Sequence, residues 1–178
     1  EKYQYDMADG LRVLYVDDEP DLLAIAKLFL ERSGDFSVET FDSAHRVIDA
    51  ATIPTYDAII SDYQMPEMDG IEFLKEVRKR YGDLPFILFT GRGREEVVID
   101  AINNGADFYI QKGGDPKAQF AELAHKLRQA VARKRAQVEL RSAYDKITAT
   151  EKELRGQYLE LARSEQMVRE SEARFREF

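Results

Sequence analysis

Three carboxylates, a hydroxyl and an ammonium recur at one kind of place in this chain of 178 residues. Asp17 and Asp18 follow the apolar run LRVLYV, Asp62 follows YDAIIS, Thr90 closes LPFILFT, and Lys112 follows DFYIQ. Carboxylates gathered within about 4 Å repel by around 4 kcal/mol per pair at an effective dielectric of 20, so they must take up protons or collect a cation. Magnesium suits such a set, because it prefers hard oxygen ligands and is typically held by one or two carboxylates with a phosphate completing the shell. That combination favours phosphoryl transfer, which needs positioning and charge cancellation more than covalent help. An Asp side chain can itself be the nucleophile. An ammonium and a hydroxyl nearby would then pair with the phosphoryl oxygens.

Each of these residues also has an ordinary reading. Asp17 or Asp18 ahead of Glu19-Pro20 can cap a helix, Asp62 can open a turn at Met65-Pro66, Thr90 can be one more strand residue, and Lys112 a solvated charge. Their joint placement at strand ends outweighs four separate accidents, provided the strands share one edge.

The elements that would put them there can be read from the patterning. Five strands are predicted, Leu11–Val16, Phe36–Phe41, Tyr56–Ser61, Leu84–Thr90 and Asp107–Gln111. Helices are predicted between them at Pro20–Arg32, Ser43–Ala51, Gly70–Arg80 and Arg94–Asn103, with a fifth from Pro116. Pro20 and Pro116 suit first helical turns, and Ser33-Gly34 and Asn104-Gly105 suit helix stops. Alternating strands and helices imply an α/β fold, a doubly wound five-stranded parallel sheet with right-handed crossovers. In such a sheet ligands bind beyond the carboxyl ends of the strands, where the strand order reverses.

Composition narrows the chemistry. There is no cysteine, hence no disulfide, thiol nucleophile or cysteine metal site, and only His45 and His125 carry imidazole, which disfavours a zinc site. Residues 1–130 carry 15 Lys+Arg against 25 Asp+Glu, and residues 131–178 carry 11 against 9. An acidic body argues against direct nucleic-acid binding. No apolar stretch reaches the roughly 18 residues of a membrane span and the first ten residues do not look like a leader, so a cytoplasmic location and no membrane partner are expected. Gly91-Arg92-Gly93 lacks the remaining glycine and the Lys-Ser/Thr of phosphate loops and reads as a loop before a helix. The basic triplets 78–80 and 133–135 read as solvated helix ends.

Three parts are therefore expected: an N-terminal extension over 1–10, a domain over 11–130, and a helical segment over 131–178. In the last, Leu140, Ile147, Leu154, Leu161, Val168 and Phe175 recur every seventh residue, one seam of a coiled coil. The second seam is poor, since Tyr144, Glu151, Tyr158, Glu165 and Glu172 place three acids where a partner helix would pack. One long helix is expected, or two joined by a break, pairing as a homodimer in preference to remaining a solvated linker.

The motifs VDDEP (16–20), DAIISDYQMPEMDG (57–70), FILFTG (86–91) and GADFYIQK (105–112) together resemble the receiver domain of two-component response regulators, over about Leu11 to Ala130. The resemblance implies a flavodoxin-like sheet in the order 2-1-3-4-5, with Asp62 as phosphoacceptor. It implies that Mg2+ is bound directly by Asp18, directly or through water by Asp17, by the phosphoacceptor Asp62, and by the backbone carbonyl of Gln64. It further implies that Thr90 and Lys112 contact the phosphoryl group, and that Thr90 and Tyr109 form a switch pair, the Tyr109 ring turning inward behind Thr90. Gln64 and Arg92 occupy positions that tune phosphoryl lifetime. Two departures stand out: receivers usually follow the lysine with proline, whereas Gly113-Gly114 stand here, and Gly91 stands where Ala or Ser is commoner.

What the resemblance implies for function is a phosphorelay signalling domain, with a histidine kinase as phosphodonor. The closing SEARFREF resembles the connector ahead of a PAS module in receiver–PAS histidine kinases, which implies a PAS or kinase-type module downstream. Two rivals remain at this level. A haloacid-dehalogenase-like phosphatase would carry a second Asp two residues after the nucleophile, where Gln64 stands, and an inactive scaffold would have no need of all five site residues.

Overall fold

The computed structural model describes residues 10–50, 52–91 and 95–176. They fall into two compact units divided between Lys134 and Arg135. The first unit holds five parallel strands, β1 (Leu11–Val16), β2 (Phe36–Phe41), β3 (Ala58–Ser61), β4 (Phe86–Thr90) and β5 (Phe108–Gln111), in the order β2-β1-β3-β4-β5. Helices α1 (Pro20–Glu31), α2 (Ala44–Ala50), α3 (Gly70–Tyr81), α4 (Glu95–Asn103) and α5 (Pro116–Arg176) complete the chain, with a short 3-10 turn at Ile53–Thr55.

Alternation along the strands sorts the core into two faces. Val13 and Tyr15 of β1, Ile60 of β3 and Ile87 and Phe89 of β4 pack against Leu23, Ala26 and Leu30 of α1 and Phe120, Leu123, Leu127 and Val131 of α5. Leu14, Val16, Ile59, Phe86 and Leu88 face the other way, onto Val47 of α2, Phe73, Leu74 and Val77 of α3, and Val97 and Ala101 of α4. Both faces are covered, as a parallel sheet requires. The strand order reverses between β1 and β3, so the chain leaving β1 passes to α1 on one face and the chain leaving β3 passes to α3 on the other, which opens a crevice at the carboxyl ends of the two strands.

The differences from the patterning lie at element ends. β3 starts at Ala58 rather than Tyr56, because Tyr56 closes the 3-10 turn and Asp57 turns its carboxylate to the Arg12 N–H at 2.9 Å. β4 starts at Phe86 because Pro85 lacks the N–H a ladder needs; the Pro85 carbonyl still accepts from Ile59 N–H at 2.8 Å. Ala51 and Arg94, expected as helix ends, lie outside the described residues, as do residues 1–9 of the N-terminal extension.

In the second unit the chain is helical as far as Arg176, within α5, with no break at Gly156. Its seam residues Leu140, Ile147, Leu154, Leu161 and Val168 are 53–73% exposed, and the side chain of Phe175 lies outside the described set. Among the described residues no helix is long and apolar enough to cross a membrane.

Candidate functional site

The expected site residues meet at the carboxyl edge of the sheet. Asp17 and Asp18 leave β1, Asp62 leaves β3, Thr90 ends β4 and Lys112 follows β5. Backbone bonds fix these exits: Asp62 N–H donates to the Val16 carbonyl at 2.9 Å, Asp17 N–H to Phe41 at 3.1 Å, and Lys112 N–H to Thr90 at 2.8 Å. Carboxylate oxygens of Asp17, Asp18 and Asp62 all lie within 4.8 Å of one another.

Strand parity decides how each side chain enters. Asp17 continues the face of Val13 and Tyr15 and is fully buried, whereas Asp18 points to solvent. Asp17 Oδ2 accepts from Tyr15 Oη at 2.9 Å and from Lys112 Nζ at 2.7 Å, while Oδ1 accepts from Glu19 N–H at 3.0 Å. Neither aspartate caps α1, whose N-cap Glu19 makes no side-chain cap. Asp62 keeps part of its ordinary role, since its Oδ2 accepts from Gln64 N–H at 3.1 Å as in a turn. Its Oδ1 lies 3.1 Å from Lys112 Nζ, a charge contact whose angles do not make it a hydrogen bond.

One ammonium thus serves two nearly buried carboxylates, with Glu19 Oε1 a further 3.6 Å away at the rim. Burial raises the Asp62 carboxyl above its ordinary value; the positive charge of Lys112 opposes this, the negative charge of Asp17 adds to it, and hydrogen bonding by Thr90 opposes it. Burial would depress Lys112, but its hydrogen bond to Asp17 and the charges of Asp17 and Asp62 outweigh that and raise it. Burial and the charge of Asp17 raise the Tyr15 phenol, so it stays a donor. Thr90 is almost completely enclosed. Tyr109 is half-buried against the α2–α4 face, and its enclosed hydroxyl has no hydrogen-bond partner among the described residues.

Beside Asp18 an open cleft of about 400 Å³ is lined by Tyr63, Gln64, Met65, Pro66 and Asp69. A cluster of three hard carboxylate oxygens, one ligand solvent-facing and one backbone segment alongside, fits magnesium well. Gln64 and its main chain stand at that cleft; Arg92, the other residue expected to tune lifetime, lies outside the described residues.

Three positioning residues were not singled out by sequence reasoning. Tyr15 looked like strand core, although its spacing of two from Asp17 puts both on one face. Gly70 opens α3 behind Asp69, whose side chain accepts from Ile71 and Glu72 N–H in a capping box. A Cβ on Gly70 would fall 2.2 Å from the Asp62 carbonyl oxygen and 2.8 Å from Leu88 Cδ1. Gln119 of α5 donates through Nε2 to the carbonyls of Gln111 at 3.4 Å and Gly113 at 3.1 Å, closing the loop around Lys112. Gly113 and Gly114 have φ of 141° and 85°, which proline, locked near −65°, could not follow at position 113.

Comparison with known proteins adds relatives to this geometry. A family model described as the response regulator receiver domain matches residues 13–128. The response regulator Rre1 of Synechocystis is 33% identical over 151 residues, covering 84% of this chain and 64% of that protein. The transcriptional regulatory protein FixJ of Bradyrhizobium diazoefficiens is 30% identical over 117 residues, covering 66% of this chain and 57% of its own. The chain therefore spans less than two thirds of the length of these relatives. A crystal structure of a response regulator receiver domain protein from Clostridium thermocellum superposes with a TM-score of 0.64 at 28% identity, covering 71% of this chain and 98% of that one.

Proposed function

The chain belongs to the response regulator receiver domain family of two-component systems, and from that premise we propose that Asp62 accepts a phosphoryl group from a phosphohistidine of a partner kinase. The observation that supports this best is the meeting of Asp17, Asp18 and Asp62 within 4.8 Å, with the Lys112 ammonium between two of them. In the transfer a carboxylate oxygen of Asp62 attacks phosphorus, the P–N bond breaks, and its electron pair returns to the imidazole nitrogen. Asp18, Asp17, Asp62 and the carbonyl of Gln64 would hold magnesium. Bound there, the ion supplies cancellation of charge on the carboxylates and the phosphoryl oxygens.

The chain's own groups do the rest. Lys112 turns from Asp17 and Asp62 to a new phosphoryl oxygen, and the Thr90 hydroxyl donates to another. Displacement of Thr90 opens room for the Tyr109 ring, whose hydroxyl already lacks a partner among the described residues. Both residues lie on the face covered by α2–α4, so the change reshapes the surface of α4 and β5. In the second unit the exposed seam from Leu140 to Val168 supports pairing with a second copy, because a helix this exposed gains little stability alone. That pairing, leading to a PAS or kinase-type module, is how the signal leaves the domain in this reading.

Acetyl phosphate with magnesium tests the proposal. One phosphoryl group per chain is expected, located at Asp62 and lost in Asp62→Ala; labelling that survives Asp62→Ala would overturn it, and catalytic hydrolysis of many phosphoesters would favour a phosphatase.

A further inference from the structure

We propose that Tyr15 is a positioning residue whose hydroxyl keeps the buried Asp17 carboxylate paired when Lys112 moves to the phosphoryl group; this rests on the phosphoacceptor reading above. Tyr15 stands near the carboxyl end of β1, an interior strand of the sheet, completely enclosed among apolar side chains, its ring 6.3 Å from that of Phe89. An aliphatic side chain would fill that face of the sheet without introducing a polar atom. A hydroxyl placed there needs a partner. Its partner is Asp17 Oδ2, the same oxygen that receives Lys112 Nζ.

The double occupancy of that oxygen is what carries the proposal. Asp17 has no exposure to solvent, so water from outside cannot readily replace a lost donor, and its other oxygen is already held by Glu19 N–H. Once Lys112 turns to a phosphoryl oxygen, Tyr15 is the side-chain donor left on Asp17 Oδ2; a magnesium ion held by the cluster would offset the charge of Asp17 but brings no protein N–H or O–H to that oxygen, and losing the hydroxyl as well would be expensive. Tyr15 remains, because it is fixed in the strand while Lys112 precedes two glycines of positive φ. The hydroxyl therefore favours the phosphorylated arrangement over the resting one.

The test is the affinity of the full chain for beryllofluoride in saturating magnesium, followed by titration calorimetry. Tyr15→Phe keeps the ring and its packing and is expected to weaken binding about tenfold, the range expected for an unpaired buried acceptor. A hydroxyl that only supported the fold would stabilise both states alike and leave the affinity unchanged, which would overturn the proposal. Ile60→Val, at the β3 position paired with Tyr15, changes packing on the same face and spares the hydroxyl. Its affinity is expected to match the wild type, and an equal loss there would also overturn the proposal. If the wild-type chain itself binds no beryllofluoride, the phosphoacceptor reading fails, and this inference with it.

Discussion

Gly70 lies so close to the main chain of Asp62 that a Cβ carbon on it would fall 2.2 Å from the Asp62 carbonyl oxygen. The first turn of α3 thus rests directly on the backbone of the acceptor. Gly70→Ala is expected to lower stability by about 1–3 kcal/mol, as overpacking does, and to weaken magnesium binding by shifting Asp62. Denaturant unfolding and metal titration check both, and a variant as stable as the wild type would show that α3 can back away freely.

Removing the acceptor charge should act in the opposite direction. The Asp62 carboxyl is raised in the folded chain, chiefly by burial. Folding therefore favours its protonated form, and that contribution is complete below the ordinary carboxylate value and lost as pH rises through the raised one. Keeping Asp62 ionised in its buried place costs stability, so Asp62→Asn is expected to raise the melting temperature by a few degrees near neutral pH. The gain should vanish as pH falls below the ordinary carboxylate range. Melting curves at pH 7 and pH 3 measure it.

Lys112→Met should be strongly destabilising at neutral pH, by about 3–5 kcal/mol, because it leaves Asp17 and Asp62 without their shared cation. The ammonium is raised in the folded state, so its stabilising contribution is fully present below the ordinary lysine value and is lost only as pH rises through the raised one. The difference between wild type and variant should hold from pH 7 up to the ordinary lysine value of 10.5 and shrink only above it. Equilibrium unfolding across that range decides the matter.

At position 113 the substitution that the family resemblance recommends should fail. Gly113→Pro installs the usual residue after the lysine, yet φ there is 141°. We expect a loss of about 1–3 kcal/mol together with weaker beryllofluoride binding, read by unfolding and calorimetry. By contrast a Cβ at Gly91 would meet only Lys112 carbons at 3.9 Å, so Gly91→Ala should be tolerated.

For the helical unit, Leu154→Glu with Leu161→Glu places two charges in the exposed seam. Light scattering should report a dimer for the wild-type chain and a monomer for the double variant, with acetyl phosphate labelling of Asp62 unchanged. A wild-type monomer would remove the pairing proposal alone.

Much of this architecture was legible because the apolar runs of β1 and β2 are bounded by Gly10, Gly34 and Asp42, and their ends fall where the patterning puts them. The placement of Asp17, Asp18, Asp62, Thr90 and Lys112 on one edge followed from strand ends alone. What stayed hidden depends on distance between strands. That Asp17 is enclosed and Asp18 exposed is a matter of parity, readable in retrospect from Tyr15. That Lys112 lies nearer Asp17 than Asp62, at 2.7 Å against 3.1 Å, is set by the sheet's packing, to which no local pattern points. The tail reads as one long helix or two joined by a break; the absence of proline after Pro116 is what lets it run on.

A pyrrolidine ring after the lysine would stiffen that loop permanently, whereas here two weak contacts from the Gln119 amide, at 3.4 and 3.1 Å, supply the restraint. Restraint of that kind is reversible: when the amide lets go of the Gln111 and Gly113 carbonyls, the loop gains play while the Lys112 ammonium is still tethered by Asp17 and Asp62.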